Sequence, residues 1–191
     1  MASLFSDIPP AYPPGFSYRE DFINPNEEQE LLHLINGIKL HTFVFQGYEA
    51  KRRVASFGYD YSFESRELKK GADIPAGFQA LVQRAATEFG FKAEDLAELL
   101  VTHYPVGAVI NWHRDAPPFD VIIGVSLAAD CVFRLRPHEK AKQVRGATID
   151  VPVRRRSVYL ISGEARSAWQ HATKPVKADR YSITLRTLKG G

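Results

Sequence analysis

The chain has 191 residues, of which 45% are hydrophobic and 12% aromatic, enough for the core of one folded domain and too many for a disordered polypeptide. Its formal charge of +3 is too small to indicate nucleic-acid binding by itself. The single cysteine, Cys131, cannot form an internal disulfide, which suggests a reducing compartment. Without a signal sequence or a long apolar run, we expect one soluble, cytoplasmic domain over residues 1–191, with no membrane anchor and no obligate protein partner.

The first elements expected along the chain are an arm and two helices. Residues 1–18 are rich in proline and aromatic side chains, which favours an extended N-terminal arm packed against the body. Asn24 as a candidate N-cap, Pro25 in the first turn and Gly37 at the far end predict a short helix. Apolar residues at helical spacing from Pro75 to Gly90 predict a second helix.

Residues 43–63, between these helices, alternate aromatic and polar groups. Phe57, Tyr59, Tyr61 and Phe63 recur at every second position. This period predicts a strand or hairpin with one aromatic face.

Beyond residue 97 the chain changes to short β-branched and aromatic runs separated by turn residues. The runs are ELLVTHY, AVINW, DVIIGVSL, CVFRLR, ATIDVPV, RSVYLIS and DRYSITLRTL. About seven or eight such strands favour an antiparallel sandwich or barrel, with the preceding helices covering one sheet. No internal repeat is visible, so a single α+β domain is the simplest interpretation.

His113 and Asp115 lie two positions apart in AVINWHRD. On a strand both side chains would leave the same face and could converge on one metal ion. With a distant second histidine they would form the facial triad of non-haem iron(II) oxygenases. We expect that ligand to be His171, since it ends a strand-like run and turn-forming neighbours would put it at a barrel mouth. By chance this composition gives about 0.7 such pairs, so an ordinary surface or core histidine is the alternative.

Two arginines fall on one face of the last run, DRYSITLRTL. Period two groups Arg180, Ser182, Thr184 and Arg186 on one side and apolar residues on the other. Burying guanidinium groups inside a barrel costs free energy unless an anion binds them, and a small dicarboxylate is such an anion. About 20 Å of ideal strand separates the two arginines, so both reach one small ligand only with curvature. The alternative is an edge strand with two solvated arginines.

Together these segments resemble the AlkB family of iron(II)- and 2-oxoglutarate-dependent dioxygenases. The matching pieces cover most of residues 57–187: GYDYSF, QRAATEFGF, Tyr104 with Gly107, His113 with Asp115, VSL, WQH and RYSITLR. The resemblance implies a double-stranded β-helix (jelly roll) over about residues 97–188. It also implies N-terminal covering helices and a nucleotide-recognition-type hairpin that forms a substrate lid over about residues 40–66.

The resemblance further implies roles for individual residues. The implied iron(II) ligands, and thus the catalytic centre, are His113, Asp115 and His171. Arg180 and Tyr104 would bind the distal carboxylate of 2-oxoglutarate. Arg186 would lie near the metal-bound end of the same co-substrate.

Three positions depart from the bacterial repair enzyme that gives the family its name. Thr102 and Ser182 stand where that enzyme has two asparagines that assist co-substrate binding, and their hydroxyls could still form hydrogen bonds. Pro117 stands where an aspartate reads the damaged base. Co-substrate binding should therefore survive, while the base preference is left open.

The lid segment also carries a candidate substrate site. Lys51, Arg52 and Arg53 precede the aromatic run, an adjacency typical of sites for single-stranded or flipped nucleotides. Tyr59 and Tyr61 align with the family's GYxY segment in its lid, so we expect them to contact substrate. The alternative is a half-buried hairpin whose tyrosines merely cover the sheet.

The remaining basic and aromatic residues give weaker signals. The run Arg154–Arg156 is better interpreted as a solvated turn than as a phosphate site. Arg166 could hold the barrel mouth or meet substrate, and it receives no role from the sequence. Trp112 and Trp169 each flank a candidate ligand, and strand alternation favours packing for both.

The implied function is oxidative demethylation of N-alkylated bases in DNA or RNA, as in alkylation repair. The implied cofactors are iron(II), 2-oxoglutarate and O₂, and the implied partner is nucleic acid. One alternative keeps the oxygenase chemistry on a protein or small-molecule substrate. A second is a metal-free jelly-roll binding module whose arginines hold an anion.

Overall fold

The computed structural model describes residues 12–45 and 47–190. The helices are α1 (Pro25–Asn36), α2 (Gln79–Phe89) and α3 (Gly163–Ser167). The strands are β1 (Phe16–Arg19), β2 (His41–Phe45), β3 (Tyr48–Ser62), β4 (Glu67–Lys70), β5 (Leu96–Tyr104), β6 (Phe119–Leu127), β7 (Cys131–Pro137), β8 (Ile149–Val153), β9 (Val158–Ile161), β10 (Trp169–Thr173) and β11 (Arg180–Leu188). Most of the expected N-terminal arm, residues 1–11, lies outside the described residues, and β1 pairs with β9.

Both predicted helices are confirmed, with the caps that the sequence indicates. The Asn24 side chain accepts hydrogen bonds from the backbone N–H groups of Asn26 and Glu27, and the Glu27 carboxylate accepts from the Asn24 N–H. This reciprocal capping box satisfies donors that the first helical turn leaves free. Gly90 ends α2 in the left-handed conformation with φ of 75°. A short 3-10 turn, Ala76–Phe78, precedes α2.

The strands form two antiparallel sheets. The larger sheet has the order β1-β9-β6-β11-β5-β3-β2, with β4 paired to β3, and the smaller one has the order β10-β7-β8. Several neighbouring strands are distant in the chain, since β11 lies between β5 and β6 and β1 pairs with β9. This arrangement confirms the predicted jelly roll.

Two hydrophobic clusters lie on opposite faces of the larger sheet. One joins α1 and α2 to β5, β6 and β11, so the helices cover that face as predicted. The other joins residues of β1, β5, β6 and β9 to residues of the smaller sheet. The second cluster therefore fills the interior of the jelly roll, and the candidate site lies beside it.

One predicted strand is wrong. The residues of AVINW are irregular, and only His113 forms a bridge, with His171 of β10. The segment does run beside β10, but the Ile110 N–H donates to the Thr173 hydroxyl at 2.9 Å instead of a backbone carbonyl. The side chain thus interrupts the ladder that would have made a regular strand.

Two further expectations need correction. His171 does not end its strand but occupies the middle of β10, because the backbone pairing with β7 continues through Thr173. Residues 43–63 do form the predicted hairpin, but its aromatic residues do not share one face, because left-handed Gly58 lies between Phe57 and Tyr59. Among the described residues, no helix combines the length and apolarity needed to cross a membrane.

Candidate metal centre and co-substrate pocket

Three donor side chains meet beside the interior cluster of the jelly roll. Nε2 of His113 and Nε2 of His171 lie 3.5 and 3.4 Å from the same oxygen of Asp115, Oδ1. One donor atom from each residue lies within 4.8 Å of the other two. The three predicted ligands are therefore brought together. His113 and Asp115 converge through an irregular segment, and the shared strand face assumed from their spacing does not exist.

The electrostatic surroundings of His171 and Asp115 suit metal binding. Burial lowers the pKa of His171, so the imidazole is neutral at physiological pH and can donate its lone pair. Burial alone would raise the pKa of Asp115, but the charge of Arg186 and the two imidazoles outweigh it and hold that pKa well below its usual range. His113 Nδ1 lies 2.8 Å from the Asn111 carbonyl, and donation there leaves Nε2 free for a metal.

Arg166 holds the segment that carries Asp115. Its Nη2 donates to the carbonyl oxygens of Asp115, Ala116 and Phe119 at 3.2, 2.9 and 2.8 Å. Asp115 and Ala116 lie in the irregular segment and Phe119 begins β6, so the guanidinium ties this segment to the start of that strand. This contact gives Arg166, which the sequence left without a role, a structural one at the metal centre.

Arg180 provides a buried positive charge at the start of β11, in the larger sheet. It is 2% exposed, and its Nε donates to Ser126 Oγ at 3.1 Å. Its guanidinium carbon lies 4.9 Å from the ring centroid of Tyr104, which is also buried. Among residues 12–45 and 47–190, no carboxylate forms an ion pair with it. A buried cation of this kind is costly without an anion, so the surroundings of Arg180 suit the carboxylate of a small ligand.

Hydroxyl groups line the sheet beside this arginine. Ser182 of β11 pairs in register with Thr102 of β5 and with Ser126 of β6, and all three are buried. Such a row offers hydrogen-bond donors to an anion held by Arg180. Ser126 was missed from the sequence, although a serine in the otherwise apolar run DVIIGVSL is the kind of signal that would have singled it out.

Arg186 lies between two carboxylates. Its Nε donates to Asp115 Oδ2 at 3.1 Å, and its Nη1 donates to Glu98 of β5. Glu98 is 2% exposed and was missed from the sequence. One acidic residue inside the apolar run LAELLVTHY was the available signal. Arg186 thus contacts the metal-centre carboxylate directly, on the side where the metal-bound end of 2-oxoglutarate was expected.

A left-handed glycine in β3 divides the aromatic residues of the hairpin. Gly58 has φ of 82°, and a Cβ there would lie 2.1 Å from the Ala97 carbonyl oxygen, so only glycine fits. β3 pairs with β5 up to Gly58 and with β4 from Tyr59 onward. Phe57 packs on the helix-side cluster, while Tyr61 packs on the interior cluster. The left-handed glycine between them reverses the alternation of side chains, which the period-two prediction could not include.

The reversal at Gly58 also determines which hairpin cation shares a face with the tyrosines. Ser56 Oγ donates to buried Glu98, so alternation gives Arg52 that interior face and Arg53 the opposite one. Arg52 is half-buried, with its guanidinium carbon 3.9 Å from the Phe43 ring centroid, whereas Arg53 is exposed. Alternation also puts Tyr59 on the face of Tyr61.

The basic run Arg154–Arg156 forms ion pairs with acidic side chains of the protein. Arg154 pairs with Asp130, and Arg155 and Arg156 pair with Glu28. These ion pairs favour the predicted turn over a phosphate site, although Arg155 and Arg156 pair with buried Glu28 and are not simply solvated. Among the tryptophans, Trp112 packs beneath Arg134 and Arg136, with their guanidinium carbons 5.1 and 4.3 Å from its ring. Trp169 packs on the interior cluster.

Comparison with known proteins agrees with this geometry. The model of the 2OG-Fe(II) oxygenase superfamily matches residues 24–186, which include both helices, the triad and both arginines. The chain belongs to the 2OG-Fe(II) oxygenase superfamily. Its cofactors are iron(II), 2-oxoglutarate and O₂, and the residues present fit them: two imidazoles with a carboxylate suit iron(II), and a buried guanidinium with no ion-pair partner among the described residues suits a dicarboxylate.

Its relatives within the superfamily carry AlkB-type names. Mouse ALKBH8, named as a tRNA (carboxymethyluridine(34)-5-O)-methyltransferase, is 30% identical over 188 residues, which are 95% of this chain and 27% of that protein. An Arabidopsis protein named as an alkylated DNA repair protein, ALKBH8 homolog, is 28% identical over 92% of this chain and 59% of its own length. Escherichia coli AlkB, named as an alpha-ketoglutarate-dependent dioxygenase, is 26% identical over 67% of this chain and 59% of its own length. These relatives confirm the AlkB family.

The chain spans only part of these relatives, from about a quarter to under two thirds of their length. Among solved structures, that of OsALKBH1 superposes with a TM-score of 0.70 at 16% identity, covering 92% of this chain and 98% of the other. A prolyl hydroxylase of Trichoplax adhaerens, in complex with a peptide fragment, gives a TM-score of 0.63 at 16% identity, covering 91% and 83%. At these identities the two structures support the oxygenase fold alone.

Proposed function

We propose that this oxygenase removes methyl groups from N-alkylated bases of DNA or RNA by oxidation. When bound, iron(II), 2-oxoglutarate and O₂ would supply the oxidation of an N-methyl group to a hydroxymethyl group, which leaves as formaldehyde. The observation that carries the nucleic-acid part of the proposal is the interior face of the hairpin. A cation, Arg52, and two tyrosines, Tyr59 and Tyr61, share that face because left-handed Gly58 reverses the alternation of β3.

The metal-binding role falls to His113, Asp115 and His171. These residues supply two imidazole donors and one carboxylate, which leaves positions on an ion for the co-substrate and oxygen. Arg166 keeps the backbone around Asp115 in place, so the carboxylate is held before any metal arrives. Binding and orientation are the protein's contribution, since the cofactors carry the oxidation itself.

The co-substrate role falls to the pocket around Arg180. Its guanidinium and the Tyr104 hydroxyl would bind the distal carboxylate of 2-oxoglutarate, with Thr102, Ser126 and Ser182 offering further hydrogen bonds. Charge-assisted bonds in a dry pocket are stronger than neutral ones, so Arg180 would contribute most to affinity. Arg186 would lie at the other end, against Asp115.

The substrate role falls to the hairpin. An extruded base can stack on a tyrosine ring, and each such contact contributes about 1 to 3 kcal/mol. A neighbouring guanidinium can neutralise a phosphate of the same strand. The printed names of two relatives, a tRNA methyltransferase and an alkylated DNA repair protein, also support nucleic acid as the substrate class.

The direct test is mass spectrometry of a mixed pool of methylated DNA and RNA oligonucleotides incubated with protein, iron(II), 2-oxoglutarate and ascorbate. We expect each demethylated base to lose about 14 mass units, because a hydrogen replaces a methyl group. Succinate and formaldehyde should form in the same reaction. The Asp115→Ala protein is the control. If succinate forms but no oligonucleotide changes, the chemistry holds and a protein or small molecule becomes the better substrate.

A further inference from the structure

Glu98 is a buried carboxylate that the metal-binding and co-substrate roles do not use. It lies on β5 directly opposite Arg186 of β11, and both of its oxygens are occupied. Oε2 accepts from Arg186 Nη1, and Oε1 accepts from Ser56 Oγ at 3.0 Å. With 2% of its surface exposed, this side chain has no access to bulk water.

Arg186 connects Glu98 to the metal centre. Its Nε donates to Asp115 Oδ2, while the other oxygen, Oδ1, faces the imidazoles of His113 and His171. The guanidinium therefore decides which oxygen of Asp115 points toward the metal position. A planar guanidinium held at one edge by Glu98 has little freedom to turn away from the other carboxylate.

We propose that Glu98 is a positioning residue for the metal centre, which fixes Arg186 and through it the orientation of the Asp115 carboxylate. The inference concerns metal binding and is independent of whether the substrate is a nucleic acid. The contacts that run from Asp115 through Arg186 to Glu98 continue to Ser56 on β3, a strand of the hairpin. The metal centre and the hairpin strand thus share one buried hydrogen-bonded network.

Stability alone does not account for this arrangement. Burial raises the pKa of Glu98, and the nearby Arg186 only partly offsets that effect, so keeping the carboxylate charged here is unfavourable. Buried ion pairs are often no more stabilising than well-packed apolar side chains. Outer partners of metal ligands, by contrast, commonly change metal affinity by 10- to 100-fold.

The chain contains a matched control in Glu28 of α1. It is 1% exposed, and its carboxylate also pairs with an arginine, Arg155, while accepting the Ala128 N–H at 2.8 Å. None of these contacts reaches the donor triad. Removing the charge of Glu28 therefore reproduces the loss of a buried ion pair without touching Asp115.

The test is Mn(II) affinity, measured by electron paramagnetic resonance on the purified full chain without co-substrate. Glu98→Gln should bind Mn(II) about 10- to 100-fold more weakly than wild type. Glu28→Gln should lower the thermal midpoint but leave Mn(II) affinity within about twofold, since its effect is on folding alone. Equal Mn(II) affinity in folded Glu98→Gln and wild type would overturn the proposal.

A double variant tests whether Glu98 acts through Arg186. Because the two effects share one path, Glu98→Gln combined with Arg186→Met should bind Mn(II) no more weakly than Arg186→Met alone. Additive losses would show that Glu98 acts by another route and would also overturn the proposal. If Glu98→Gln does not fold, Glu98→Asp keeps the charge but shortens the reach, and unchanged Mn(II) affinity in that variant counts equally against it.

Discussion

The metal centre and the hairpin differ in how their charged groups are partnered. Around Asp115, the ligand carboxylate and the guanidinium of Arg186 are both buried and joined to other protein groups. On the hairpin, Arg52 lies over the Phe43 ring and forms no ion pair with a described residue, and Arg53 is exposed. Each charge at the metal centre has a fixed partner, whereas the hairpin cations stay available to a ligand from outside.

This difference indicates a division of work between the two regions. A site that must hold a metal in one geometry needs its ligands preorganised by the surrounding protein. A surface that takes different nucleotides gains more from accessible cations and flat rings. We therefore expect substitutions at the metal centre to abolish chemistry, and substitutions on the hairpin to change substrate binding while leaving chemistry in place.

The largest effect is expected at the triad. Asp115→Ala or His171→Ala should abolish 2-oxoglutarate turnover and leave the fold largely intact, because two remaining ligands hold iron poorly. Succinate release and thermal unfolding would be measured together. Asp150→Ala is the matched control, since that exposed carboxylate of β8 pairs with the surface cations Arg134 and Lys174, outside the triad. Wild-type turnover in either triad variant would contradict the metal assignment.

The next effect is expected at Arg180. Arg180→Met should raise the 2-oxoglutarate concentration needed for half-maximal turnover by on the order of a hundredfold, because a charge-assisted bond in a dry pocket contributes about 2 to 3 kcal/mol. Arg180→Lys keeps the charge but not the planar geometry and should fall between methionine and wild type. An unchanged 2-oxoglutarate requirement in the methionine variant would remove Arg180 from the co-substrate pocket.

The smallest effect is expected from single hairpin cations. Arg52→Met should weaken binding of a single-stranded oligonucleotide and reduce the slope of log affinity against log salt by about 0.7, the value for one phosphate contact. Methionine preserves apolar packing on Phe43. Arg53→Met, on the opposite face of the same strand, is the matched control and should leave the slope unchanged. Equal salt-dependence slopes for the two variants would show that the two faces of the hairpin do not differ in phosphate binding.

Periodic features were predictable from the sequence. The helices ending at Gly37 and Gly90 carried cap signals, and β11 carried its polar face in DRYSITLRTL. These features follow from local residue order, which is all that periodicity reads. The family resemblance supplied the rest of the candidate site, including Tyr104.

What the sequence missed depends on contacts between distant segments. Ile110 looked like a strand residue, but a threonine hydroxyl 63 positions away interrupts its pairing. Gly58 moved Tyr59 and Tyr61 to the face opposite Phe57, since one left-handed residue reverses alternation. Glu98 became relevant only when β11 paired beside β5 and brought Arg186 to it.

The division of work between the two regions is tested most directly by measuring succinate and formaldehyde from the same reactions. In wild type with an N-methylated oligonucleotide, we expect about one formaldehyde for each succinate, as coupled turnover requires. In Arg52→Met combined with Tyr59→Ala, succinate formation without oligonucleotide should persist at the wild-type rate, while formaldehyde formation falls at least tenfold, roughly the loss of one stacking contact. Formaldehyde formation at the wild-type rate in this variant would contradict the assignment of substrate binding to the hairpin.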